Sequence, residues 1–256
     1  MPRFSANLGF LWKELDLPDA VRAAARAGFD AVELHWPYDT PPQTLRAALD
    51  ETGLPLLALN TARGDLSEGE FGLGALPGRE TEARAAVDAA VGYARAAGAG
   101  AVHVMAGKAK GATAERAFRD TLTYACDTAP DRTILIEPIN PFDVPGYFLQ
   151  TTDHASKVIA DVAAPNLKMM FDCYHVARVG GDVAADLQKH LRHIGHIQFA
   201  GVPDRGPPEY GDVDYGDLFR LIDALGWDRP LGAEYRPGGE TDGSLHWLRD
   251  ARVTNT

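Results

Sequence analysis

Short apolar runs alternate along the chain with longer, alanine-rich stretches whose apolar positions recur every three or four residues. The runs RFSANLG (3–9), DAVELHW (30–36), PLLALNT (55–61), AVHVMAG (101–107), TILIEPI (133–139), LKMMFDCY (167–174), GHIQFAG (195–201) and PLGAEYR (230–236) predict strands. The stretches near 18–27, 41–52, 79–97, 113–128, 152–162, 182–192, 214–225 and 241–250 predict helices. A helical spacing gives a segment one face to bury, whereas a short continuous run suits a strand covered on both sides.

Helix ends carry matching punctuation. Gly28, Gly53, Gly98 and Gly226 each follow a periodic stretch, where a left-handed cap favours glycine. Asp19, Thr113, Thr152 and Asp214 are the expected residues at or near the N-caps. A weak repeat of helix end, glycine, link and strand recurs in ARAGFDAVELH, ARAAGAGAVHV and DALGWDRPLGAEY. Repeated strand–helix units with apolar strands imply a parallel sheet covered by helices. Eight such units favour an α/β fold of the (β/α)8 TIM barrel type, a single domain over 1–256. An open doubly wound sheet is the alternative, although the first strand lacks the GxGxxG turn of its commonest form. Two long loops, ARGDLSEGEFGLGALPG (62–78) and VPDRGPPEYGDVD (202–214), follow strands and so fall on the C-terminal face, where barrel enzymes carry their chemistry.

Composition narrows the class. With 256 residues, 45% of them hydrophobic, the core needs no disulfide or structural metal. Cys126 and Cys173 match no ligand or redox spacing and read as reduced, buried thiols of a cytosolic protein. The start MPRFSANLGFLW does not read as a signal peptide, and no run approaches the ~18 apolar residues of a membrane span. A cytoplasmic protein without membrane contact is expected. Twenty-five Lys and Arg against 36 Asp and Glu, a net charge of −11, disfavour nucleic acid and favour a small-molecule enzyme. A homo-oligomer is left open.

The polar residues at strand ends carry the candidate chemistry. Strand five offers Glu137, strand six Asp172 and then His175, strand seven His196 and Gln198, and strand eight Glu234 and Arg236. One carboxylate at a strand end is more often a salt-bridge partner than a catalyst. Ligand-capable oxygens on four successive strands, Glu137, Asp172, Gln198 and Glu234, point instead to a shared divalent cation, Mg²⁺ or Mn²⁺ by oxygen hardness. Two glutamates beside such an ion can move a proton between adjacent carbons of a hydroxy-carbonyl compound, through an enediolate. No Walker motif, nucleophile elbow or HExxH is present, so no nucleotide cofactor is expected. Arg236 shares a face with Glu234 if the strand persists, either to grip a substrate carboxylate or to pair with Glu234. Lys108 and Arg205 are weaker substrate-binding candidates, better read as solvated charges. His175 falls where the strand turns to loop and can reach substrate. His35 can line the mouth, and His103 reads as a core histidine.

The strings VHVMAG, IEPIN, DVPGYFL, FDCYH, GHIQFAGVP, DYGDLFRLIDALGW and GAEYRP resemble the hydroxypyruvate isomerase family of the xylose-isomerase-like barrels, nearly end to end. The resemblance implies that Glu137 and Glu234 form the catalytic pair and that His175 contacts substrate. It implies a divalent metal on Glu137, Asp172, Gln198 and Glu234, with Gln198 standing where many related epimerases have histidine. The implied reaction interconverts hydroxypyruvate and tartronate semialdehyde. A relative that isomerises 2-oxo-tetronate shares most of the motifs. Inosose-type dehydratases and endonuclease IV share the fold.

Overall fold

The computed structural model describes residues 2–253. Its strands are β1 (Phe4–Asn7), β2 (Ala31–Glu33), β3 (Ala58–Asn60), β4 (Ala101–His103), β5 (Thr133–Ile136), β6 (Leu167–Asp172), β7 (Ile194–Phe199) and β8 (Leu231–Ala233). They form one sheet in the order β2-β1-β8-β7-β6-β5-β4-β3, with parallel pairing. A parallel bridge between Val32 and Leu56 brings β2 beside the residues that lead into β3. This is the strand order of a (β/α)8 barrel, as the alternating runs predict.

The helices are α1 (Leu17–Ala27), α2 (Pro42–Thr52), α3 (Glu80–Ala97), α4 (Gly111–Thr128), α5 (Thr152–Val162), α6 (Cys173–Arg178), α7 (Val183–His190), α8 (Tyr215–Ala224) and α9 (His246–Val253). The short α6 departs from expectation, since the run LKMMFDCY predicts strand at Cys173 and Tyr174 and a turn to loop at His175. The Asp172 side chain accepts a hydrogen bond from the Tyr174 amide at 2.9 Å and starts a helix there. Asp19, Thr113 and Thr152 lie near their caps, within three residues, rather than at them. Asp16 rather than Asp19 caps α1, Thr151 rather than Thr152 caps α5, and Lys110 precedes α4 without a side-chain cap. Asp214 caps α8 as expected.

Contacts group the described residues into two compact units, one within Met1–Leu57, Asp172–Lys189 and Ile197–Thr256, the other Ala58–Phe171 with His190–His196. In the first, the Phe4 ring meets Phe199, Phe219 and Trp247 edge-on at 5.1–5.9 Å, tying β1 and β7 to α8 and α9. Each such pair adds about 0.5–1.5 kcal/mol beyond its area burial. The Trp247 indole donates to the Tyr235 hydroxyl at 3.1 Å, which fixes the segment just after β8.

In the second unit, Ala58, Ala101, Leu135 and Met170 form a buried cluster. The long loop after β3 is pinned rather than loose: Gly72 bridges Ala106, and Arg79 pairs with Glu70 at 2.6 Å. Gly72 sits at φ 117°, and a Cβ there would lie 2.6 Å from the Met105 carbonyl, so only glycine permits this approach.

Candidate active site

Within the first unit, polar groups gather at the carboxyl ends of the strands. Asn7 ends β1, Glu33 ends β2, Asp172 ends β6, Gln198 lies late in β7, and Glu234 follows β8. All five are buried. Burial of carboxylates costs several kcal/mol unless each has partners, and the partners are present.

Glu234 accepts a hydrogen bond from His35 Nε2 on Oε1 and one from Arg205 Nη2 on Oε2, both at 2.7 Å. A carboxylate only accepts, so the His35 ring carries its proton on Nε2 in this pair. Arg205 Nη2 also reaches Asp172 Oδ2 at 3.3 Å, and its Nε reaches the Glu234 carbonyl at 3.4 Å. The guanidinium lies 5.0 Å from the Phe10 ring centre and 4.9 Å from that of Tyr174. Two aromatic faces and two carboxylates thus hold a cation whose side chain is 11% exposed.

The Arg205 backbone adopts φ 56°, unusual for a residue with a side chain, and its carbonyl accepts from the Arg236 amide at 2.7 Å. Arg205 is therefore not the solvated charge expected from sequence. Its loop folds back over the strand ends instead of projecting outward.

Electrostatics follow from this packing. Burial by itself would push the Glu234 carboxyl up, but the Arg205 charge and then the His35 hydrogen bond hold it well below the usual carboxylate range. His175, on α6, stands with Nε2 3.5 Å from Asp172 Oδ2. Burial, aided by the Arg205 charge, pushes this imidazole well below its ordinary value, which leaves a neutral ring. Burial and the Asp172 charge push the neighbouring Cys173 thiol well up, so it stays protonated.

Gln198 donates from Nε2 to Glu33 Oε1 at 2.8 Å, and Asn7 Nδ2 donates to the same oxygen at 3.1 Å. The Gln198 Oε1 atom is buried and has no hydrogen-bond partner among the described residues. A buried amide oxygen in that condition fits a role as donor to a hard cation. Asp172 and Glu234 oxygens suit the same ion, although Arg205 already engages both.

In the second unit, Glu137 directly follows β5 and is buried, with Oε2 3.7 Å from His103 Nδ1. That nitrogen is also 3.2 Å from Asn60 Oδ1. His103 is a core histidine, as read from sequence, and it stands beside the candidate glutamate. Lys108 is exposed and donates to the Gly69 carbonyl at 2.7 Å, in keeping with a surface charge. Glu137, Asp172 and His175 are each buried and each offers an atom able to ligate a metal ion.

Arg236 is exposed. Because β8 ends at Ala233, the strand alternation that would carry Arg236 to the face of Glu234 does not operate. Glu33 and Phe10 escaped the sequence reading altogether. A signal for Glu33 was available: DAVELHW places it two residues before His35, on the same face of an extended segment.

A parallel barrel whose strand ends carry a buried carboxylate, imidazole and guanidinium network defines a (β/α)8-barrel enzyme. The family model described as "Xylose isomerase-like TIM barrel" matches residues 21–251. The 2-oxo-tetronate isomerase of Cupriavidus necator is 44% identical over 97% of this chain and 98% of its own. The hydroxypyruvate isomerase of Escherichia coli is 37% identical over 97% and 98%. A crystal structure described as AP endonuclease, family 2, from Brucella melitensis superposes with a TM-score of 0.94 at 35% identity, over 98% of this chain and 99% of that one. The chain belongs to the xylose isomerase-like TIM barrel family, in the branch of the hydroxypyruvate and 2-oxo-tetronate isomerases.

Proposed function

We propose that the chain is an isomerase of short hydroxy-oxo acids, interconverting hydroxypyruvate and tartronate semialdehyde. The observation that carries this reading is Glu234: a buried carboxylate held ionised by Arg205 and His35 at the end of a barrel strand. Relatives bearing isomerase names along nearly the whole chain support it.

In the reaction a base takes a proton from C3 of hydroxypyruvate, leaving an enediolate across C2 and C3. A proton returns to C2, and the hydroxyl proton passes from O3 to O2, so atoms balance. Glu234 and Glu137, each just beyond a strand at the carboxyl edge of the parallel sheet, are the two acid–base groups in this reading. The substrate carboxylate competes with Glu234 and Asp172 for Arg205. As the guanidinium turns to the substrate, Glu234 loses its strongest stabilising charge and becomes a better base. Neutral His175 donates a hydrogen bond to a substrate oxygen. Lys108 and Arg236, both exposed, remain outer candidates for the substrate carboxylate.

Glu137, Asp172, Gln198 and Glu234 would hold a divalent ion, Mg²⁺ or Mn²⁺, which when bound would lower the cost of charge developing on the enediolate oxygens. The reading further takes a cytoplasmic enzyme, on its two free, buried thiols, and no nucleic-acid partner, on its −11 charge.

A second reading, the four-carbon substrate 2-oxo-tetronate, is favoured by the relative at 44% identity. Incubation with each acid in D₂O, with and without EDTA, tests both. Deuterium appearing at the carbon that gains a proton supports an isomerase, and the faster acid identifies the substrate. Absence of exchange with both acids overturns the reading.

A further inference from the structure

We propose that Glu33 is a positioning residue: it fixes the Gln198 side-chain amide so that its oxygen, and not its nitrogen, is presented as a donor to a divalent cation. The inference rests on the reading of Gln198 as a metal ligand.

An amide has two ends of similar shape and opposite character. Before an ion arrives, a glutamine free to flip would populate both orientations, and turning the oxygen inward would then cost binding energy, because the NH₂ end cannot ligate. A carboxylate breaks this symmetry, because it only accepts hydrogen bonds. Glu33 Oε1 receives Gln198 Nε2 at 2.8 Å, which turns Gln198 Oε1 away from Glu33. Asn7 Nδ2 holds the same Glu33 oxygen at 3.1 Å, while Asn7 Oδ1 accepts from the Gly9 amide at 2.9 Å. Donors from both sides, Asn7 (itself fixed by Gly9) and Gln198, thus converge on one Glu33 oxygen, which sets the orientation of both amides. On the Gln198 side this leaves a buried amide oxygen with no hydrogen bond among the described residues.

The backbone also makes room for this arrangement. Gly232 pairs in register with Gln198, and a Cβ at Gly232 would lie 2.6 Å from both Glu33 carboxylate oxygens and 2.8 Å from Gln198 Cγ. A side chain at position 232 would displace both partners at once. A purely structural role would need only some hydrogen bond between the two side chains; the positioning role needs this polarity.

The test is calorimetric titration with Mn²⁺ of the metal-stripped protein and its Glu33→Gln, Gln198→Ala and Glu33→Gln/Gln198→Glu variants, with folding followed by circular dichroism. Glu33→Gln permits the amide to flip and is expected to weaken Mn²⁺ binding about 10- to 100-fold, as does Gln198→Ala. At saturating Mn²⁺, Glu33→Gln regains most of its turnover. The double variant reverses the hydrogen bond and presents a carboxylate oxygen, so it recovers the lost affinity. If Glu33→Gln does not fold, the double variant decides: recovered affinity supports the proposal and lost affinity overturns it. Weakening by Gln198→Ala but not by Glu33→Gln overturns the proposal and leaves the metal reading standing. A wild-type protein that binds no Mn²⁺, or a Gln198→Ala variant that binds it unchanged, overturns both.

Discussion

Arg205 holds Glu234 at 2.7 Å while its guanidinium lies over the rings of both Phe10 and Tyr174. The arginine is thus a built-in cation at the strand ends, and it sets the charge of the carboxylate expected to do the chemistry. Removing it leaves Glu234 and Asp172 buried with fewer partners. Arg205→Met is expected to lower stability by about 3 kcal/mol, in line with breaking a buried ion pair from one side. It should also lower kcat/KM at least about a hundredfold. Urea unfolding and steady-state kinetics at neutral pH check the two effects. Arg205→Lys should restore little, because an ammonium cannot stack flat on aromatic rings and bridge two carboxylates together.

Glu234→Gln keeps the side-chain shape and an oxygen for His35, but abolishes the base. Turnover should fall by about a thousandfold with an unchanged circular dichroism spectrum. Glu137→Gln should do the same. Full activity in either variant removes that glutamate from the mechanism.

Gly9→Ala perturbs the site without substituting any of its ionisable residues. A Cβ at Gly9 would lie 2.0 Å from His35 Nδ1, so the ring must leave its place against Glu234. Overpacking of this kind costs about 1–3 kcal/mol. Activity should fall with it, and thermal unfolding together with a coupled assay measures both. Wild-type activity in Gly9→Ala would show that the His35–Glu234 hydrogen bond is dispensable.

Acid should destabilise the metal-free protein in two stages. The folded pKa of His175 is lowered, so below about pH 6.5 the unfolded chain binds more protons and folding weakens as pH falls. The loss approaches about 1.4 kcal/mol per pH unit until the folded imidazole titrates. The folded pKa of Glu234 is also lowered. Its contribution is complete above the unfolded value of about 4.3 and is lost as pH falls toward the depressed one. Thermal midpoints from pH 3 to 8 (about 2–4 °C per kcal/mol) show both stages. His175→Gln should flatten the first and leave the second.

Local rules carried most of the framework. Strand and helix positions came from spacings within a few residues, and each expected strand is present and ends earlier than the run predicts, with Glu137 and Glu234 just beyond their strands and Asp172 at the end of its own. Those carboxylates were legible because, with Gln198, they put ligand-capable oxygens at equivalent ends of four successive apolar runs. The helix α6 was not legible, since its apolar residues continue the strand's run and only the turn of the Asp172 side chain onto the Tyr174 amide starts it.

Sequence alone therefore settled the fold class, the order of its units and that the strands from β5 to β8 end in ligand-capable oxygens, because those depend on local periodicity and on the position of polar residues within it. Folding settled who meets whom. His35 reaches Glu234 across 199 residues of chain, Gln198 reaches Glu33 across 165, and Arg205 reaches Glu234 across 29. None of these pairs has a spacing to read, and the direction in which a loop arginine turns is set by the rings and carboxylates it finds there. Arg205 looked like a surface charge until Phe10, Tyr174, Asp172 and Glu234 enclosed it.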